Sequence, residues 1–135
     1  MSRTAVVYWS GTGNTEAMAN AVAEGAGAEL ITAADFTPDM VSEYDAIAFG
    51  CPSMGAEELE ESEFEPMFAA VEGSLAGKKV ALFGSWGWGE GEWMNIWESR
   101  CADDGITLAA DSVICQDAPD DEALEACRAL GAALA

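Results

Sequence analysis

The residues of this chain best suited to chemistry are Ser10-Gly11-Thr12-Gly13-Asn14-Thr15. They follow an apolar run, Ala5-Val6-Val7-Tyr8-Trp9, and precede a helix-forming stretch. Strand, tight loop and helix together make an anion-binding arrangement. The glycines let the backbone curl close to a ligand, and the helix start offers unpaired N–H groups and positive dipole charge. Ser10, Thr12, Asn14 and Thr15 add side-chain donors, so a phosphate could be held without Lys or Arg. A nucleoside-triphosphate loop would need Gly-Lys-Ser/Thr, but Asn14 follows Gly13. A dinucleotide loop would need a third glycine where Glu16 stands, and that carboxylate sits badly beside a pyrophosphate. The loop therefore suits one terminal monophosphate. The competing reading is a plain helix cap, with Thr12 or Asn14 as the capping residue.

Two further loops carry unusual residues. In Gly50-Cys51-Pro52-Ser53-Met54-Gly55-Ala56-Glu57-Glu58, a polarizable thioether stands beside a pliable glycine, suited to lie against a flat ring. In Gly84-Ser85-Trp86-Gly87-Trp88-Gly89-Glu90-Gly91-Glu92-Trp93, glycines alternate with tryptophans. Indoles exposed in a loop are costly unless they stack on something. A Met rim, a Trp rim and a monophosphate cradle describe a slot for a planar ring with a phosphorylated tail. Flavin mononucleotide (FMN) has that form. Trp93 and Trp97, spaced i, i+4, are expected to pack inward instead.

The elements that must position these loops follow from periodicity. Strands are predicted over 3–9, 28–32, 46–49, 79–83 and, interrupted, 107–115; helices over 14–25, 38–44, 63–72, 92–103 and 120–134. Five βα units predict an α/β fold: a doubly wound, five-stranded parallel sheet in the order 2-1-3-4-5, as one domain over residues 1–135. Ligands bind such sheets at the carboxyl ends of the strands, at the switch point. The loops after Trp9, Phe49 and Phe83 should converge there.

Composition narrows the class. Twenty-five acidic against five basic residues give a net charge of −20, which argues against nucleic acid and anionic membrane as partners. No apolar run is long enough to span a membrane and no leader pattern opens the chain, so the cytoplasm is the expected compartment. Cys51, Cys101, Cys115 and Cys127 lie far apart, the chain has no histidine, and no metal site is expected. They read as reduced thiols.

Taken in order, Val7 to Glu16, Gly50 to Gly55, Glu60-Glu61-Ser62-Glu63-Phe64-Glu65-Pro66, and Gly77 to Gly89 resemble the flavodoxin family, in its short-chain anaerobic form, over essentially the whole chain. The resemblance implies an FMN-carrying, low-potential one-electron shuttle that replaces ferredoxin, with no catalytic residue of its own. It implies that Ser10, Gly11, Thr12, Gly13, Asn14 and Thr15 hold the phosphate. Trp88 and Met54 would cover the two faces of the ring, and Glu57 would accept from its N3–H. Ser53, Ser85, Trp86, Gly87 and Gly89 would line the ribityl chain and ring edge. A flip of the Gly55–Ala56 peptide would let the Gly55 carbonyl stabilise the semiquinone. Ala56 departs from the usual Asp, Asn or Gly, and a positive φ there costs Ala on the order of 1 kcal/mol. Pro52 replaces a hydroxyl that could reach the phosphate. Asp117 either approaches the ring edge or caps the last helix.

The partners implied are redox enzymes with basic faces, and the protein is expected to be a monomer. The acids Glu57, Glu58, Glu60, Glu61, Glu63 and Glu65 either form that docking face or a plain solvated surface. Two alternatives share the fold. A small FMN-dependent NAD(P)H or quinone reductase would need a basic pocket that this chain lacks. A phospho-accepting domain would need an Asp after strand 3, where Gly50-Cys51-Pro52 stands. An acidic binding module without cofactor would take up no flavin.

Overall fold

The structure is a computed structural model and describes residues 3–11, 13–53, 59–87 and 91–134. Strands β1 (Thr4–Tyr8), β2 (Glu29–Thr32), β3 (Ala46–Gly50), β4 (Lys79–Trp86) and β5 (Val113–Gln116) form one sheet in the order β2-β1-β3-β4-β5. All neighbours are parallel, as five βα units require. Helices α1 (Asn14–Ala26), α2 (Pro38–Val41), α3 (Phe64–Val71), α4 (Glu92–Asp103) and α5 (Asp121–Leu134) cover its faces.

The two faces follow from the alternation of side chains along each strand. Val7, Ile47, Phe49, Val80 and Leu82 point to one side, where Phe64, Phe68, Trp93 and Trp97 of α3 and α4 complete the core. Val6, Ala48, Ala81 and Phe83 point to the other, against Met18 and Val22 of α1 and Leu130 and Leu134 of α5. Trp93 and Trp97 do pack inward. The Trp97 ring meets Phe64 and Phe68 edge-on at 5.5 and 5.7 Å, a favoured aromatic geometry.

Three boundaries differ from the sequence expectation. Strand β4 runs on through Gly84, Ser85 and Trp86, which pair with β5. Gly84 reads as a strand end, yet a Cβ there would lie 2.2 Å from the Cys51 carbonyl oxygen, so the close approach of two backbones demands glycine inside the strand. Strand β5 is confined to four residues, and the segment before it touches the sheet through one bridge, Val80 to Leu108. Helix α2 is a single turn.

Candidate functional site

Strand register brings the predicted loops together. Past the end of β1, Trp9 N–H donates to the Gly50 carbonyl (3.0 Å), and past β3, Cys51 N–H donates to Phe83 (3.2 Å) and Ser53 N–H to Ser85 (3.0 Å). Past β5, Asp117 N–H donates to Trp86 (2.8 Å). The sheet ladder thus continues into its carboxyl-end loops and fixes their spacing. Between them lies a cleft of about 240 Å³. One side is Trp9, Gly11 and Asn14; the other is Pro52, Ser53, Ser85, Gly87 and Asp117.

The start of α1 is built for an anion rather than for a side-chain cap. Its N-cap is Gly13, with φ of 96°, and no side chain caps it. Thr15 is 1% exposed, and its hydroxyl has no hydrogen-bond partner among the described residues. A buried, unsatisfied hydroxyl is costly, and here it sits beside the free N–H groups of a helix start. Ser10 Oγ accepts from Gly13 N–H at 3.0 Å, which closes the loop and leaves the Ser10 O–H free to donate. The loop thus offers backbone N–H and hydroxyl donors and no carboxylate of its own, a set that fits a phosphate and supports the resident FMN expected from the sequence.

Cations lie elsewhere. Arg3 and Lys79 stand at the opposite, amino ends of β1 and β4, where Lys78 donates to the Tyr44 carbonyl. Arg100 is bound by Glu65 and Glu72, and Arg128 by Glu24 and Glu125. Among the described residues, no basic side chain lines the cleft.

Of the predicted site residues, Gly11, Asn14, Ser53, Ser85 and Gly87 line the cleft, and Ser10, Gly13 and Thr15 shape the loop beside it. Trp86 is half-buried against the core and does not line the cleft. Thr12, Met54, Gly55, Ala56, Glu57, Trp88 and Gly89 lie outside the described residues. Three lining residues, Trp9, Pro52 and Asp117, stand outside the set assigned from sequence, and Pro52 enters there only as the replacement of a hydroxyl. Trp9 reads as the last residue of a buried strand, and its two-residue spacing from Gly11 is the available signal. Asp117 was open between two roles; Asp120 is the residue that caps α5, its carboxylate accepting from Ala123 N–H at 2.8 Å. Asp117 holds φ of 56° and lines the cleft.

The acidic run after the second loop needs correction. Glu60 is 4% exposed, so it is not part of a docking face. Its carboxylate accepts from the N–H groups of Ser62, Glu63 and Phe64 at 2.8–2.9 Å and from the Ser62 hydroxyl. Burial opposes its ionisation, but the bonds from Ser62, Phe64 and Glu63 outweigh that and hold the carboxyl below its usual range. Its own N–H donates to Cys51 Sγ, whose thiol is pushed up by burial. Glu65 is committed to Arg100. Glu61 and Glu63 are exposed.

Comparison with known proteins decides the family. The family model for flavodoxin matches residues 6–131. A flavodoxin of Megasphaera elsdenii is 47% identical over 135 residues, covering 96% of each chain. One of Clostridium beijerinckii is 44% identical, covering 96% of this chain and 97% of its own. The chain belongs to the flavodoxin family. The solution structure of two-electron reduced M. elsdenii flavodoxin superposes with a TM-score of 0.87 at 48% identity, over 97% of both chains. In this flavodoxin the loop after β1, the Ser53 loop and the carboxyl ends of β4 and β5 line one cleft at the carboxyl side of the sheet, the side expected for a ligand in a doubly wound sheet.

Proposed function

We infer that this flavodoxin is a one-electron carrier that binds FMN non-covalently and passes electrons between redox enzymes, with no substrate of its own. The observation that carries the reading is the start of α1, without a side-chain cap and with a buried Thr15 hydroxyl that has no partner among the described residues, whose Asn14 lines a cleft between the carboxyl ends of β1, β3, β4 and β5. FMN supplies the electron chemistry when bound. The chain binds, orients and shields it.

In this reading Gly11, Gly13, Asn14 and Thr15, with the Ser10 hydroxyl, hold the phosphate. Ser53, Ser85 and Gly87 flank the polyol chain and ring edge. Met54, Trp88 and Glu57 take the ring faces and N3–H by family resemblance. The anionic surroundings oppose the negative charge that full reduction brings, which favours a low potential. The partners are enzymes with basic faces, met by an exposed acidic surface that includes Glu61. The protein works as a monomer and as one domain. No helix among the described residues is long and apolar enough to cross a membrane. The cytoplasm fits its four free cysteines.

The test is flavin uptake by the apoprotein followed by stepwise anaerobic reduction. Stoichiometric FMN binding and two resolved one-electron steps, without NADH oxidation in the absence of a partner, are expected. Failure to take up FMN, or arrival of both electrons in a single step, would overturn the reading.

A further inference from the structure

We propose that Trp9 and Glu63 form a latch that sets the shape of the phosphate loop, so that both act as positioning residues for the cofactor's phosphate. The inference rests on the FMN reading above and adds to it two residues outside the loop.

Trp9 is fixed at three points. Its N–H donates to the Gly50 carbonyl at 3.0 Å, tying it to β3. Its indole Nε1–H donates to Glu63 Oε1 at 2.9 Å, tying the ring to the start of α3. The far edge of the ring lies against Gly11, where a Cβ would stand 3.0 Å from Cη2 and 3.3 Å from Cζ3. The indole is thus the floor on which Gly11 rests. Indole has one donor and Glu63 occupies it, so the bond chooses the rotation of the ring and thereby the height of that floor.

Glu63 is itself held. Its N–H donates to the buried Glu60 carboxylate at 2.8 Å, and it stands at the N-cap of α3. Trp9 also walls two clefts, the cofactor cleft and a neighbour of about 260 Å³ that Glu63, Tyr8 and Glu16 line. The ring therefore stands between a phosphate site on one side and carboxylates on the other. Freed from Glu63, it could turn and leave Gly11 unsupported.

The sign of one substitution separates this latch from simple electrostatics. Removing a carboxylate near an anion site should strengthen anion binding. The latch predicts the reverse, because Glu63→Ala removes the acceptor that orients the ring.

The experiment measures apoprotein affinity for FMN and for riboflavin, which lacks the phosphate, in wild type, Trp9→Phe, Glu63→Ala and Glu63→Gln. Trp9→Phe and Glu63→Ala should each weaken FMN about tenfold, the worth of one hydrogen bond to a charged group, and riboflavin less than about twofold. Glu63→Gln, which keeps an acceptor oxygen, should stay within about threefold of wild type. Equal losses for both flavins, no loss, or a gain for FMN in Glu63→Ala would overturn the latch. A wild-type protein that prefers neither flavin would instead overturn the phosphate reading beneath it. Should Trp9→Phe fail to fold, the Glu63 pair alone decides.

Discussion

At the scale of single residues, Glu60 shows how little a charge run reveals about any one of its members. Six acids between 57 and 65 read alike in the sequence. Yet Glu60 is buried and collects four donors from Ser62, Glu63 and Phe64, serving the otherwise unsatisfied N–H groups at the start of α3. No cation is needed, because backbone dipoles stabilise the charge. Glu60→Ala should cost about 2–3 kcal/mol of folding stability by leaving these donors, the buried Phe64 N–H among them, without their acceptor. The pH dependence follows from the lowered carboxyl pKa. The native state favours the ionised form, so the contribution is complete above the unfolded carboxyl pKa and is lost as pH falls through the folded one. Denaturation of wild type and Glu60→Gln between about pH 5 and pH 2 should therefore show a shallower acid loss in the variant. The loop after β1, by contrast, shows its glycine spacing and its hydroxyl groups directly in the sequence. Glycine spacing and hydroxyl donors are local properties, whereas burial of one glutamate depends on where Cys51 and α3 meet.

At the scale of elements, the loops after β3 and β4 are each followed by a helix, α3 and α4, and one side chain ties those helices together. Arg100 on α4 makes paired bonds to Glu65 (2.6 and 2.8 Å) and Glu72 (2.8 and 2.9 Å) of the α3 segment and lies over the Phe68 ring at 5.0 Å. The carboxylate bonds push the guanidinium pKa up, that of Glu72 first, and Glu72 is held below its usual range by the same bond. Lysine offers charge without the planar fork, so Arg100→Lys should lose about 1–2 kcal/mol, discounted for partial exposure. A fall in urea midpoint with unchanged slope would show it; an unchanged midpoint would mean that the cluster is held by packing alone. The order of the sheet was legible because apolar runs and helical periods alternate cleanly. The end of β4 was not. A glycine among tryptophans looks like a loop, and only the facing Cys51 carbonyl explains why Gly84 continues the strand. Ser85 lies in the same extension of the strand; it is 5% exposed, lines the cleft, and its hydroxyl donates to the Asp117 carbonyl at 2.8 Å.

At the scale of the whole molecule, the arrangement of five cations matters more than the net charge of −20. Arg3 and the two lysines mark the amino end of the sheet, and Arg100 and Arg128 are occupied by carboxylates, so no basic side chain borders the cofactor cleft. The field at the carboxyl end is negative and open to solvent. Such a field speeds encounter with a basic partner and orients it, and salt screens it within about 10 Å at 0.1 M. The burial of Glu60 sharpens which residue should matter. Glu61 is exposed beside the second loop and has no competing structural duty among its described contacts. Glu61→Lys should therefore slow electron transfer from a basic reductase by about threefold or more at low ionic strength, with little effect at high salt and none on the urea midpoint. Charge reversal at Glu60 should do the opposite, lowering stability at every salt concentration because its partners are backbone N–H groups rather than another protein. Stopped-flow rates across a salt series, read beside denaturation curves for both variants, separate the two. A Glu61 variant that transfers electrons as fast as wild type at low salt would remove this surface from the encounter and leave the field of the whole acidic face to steer it.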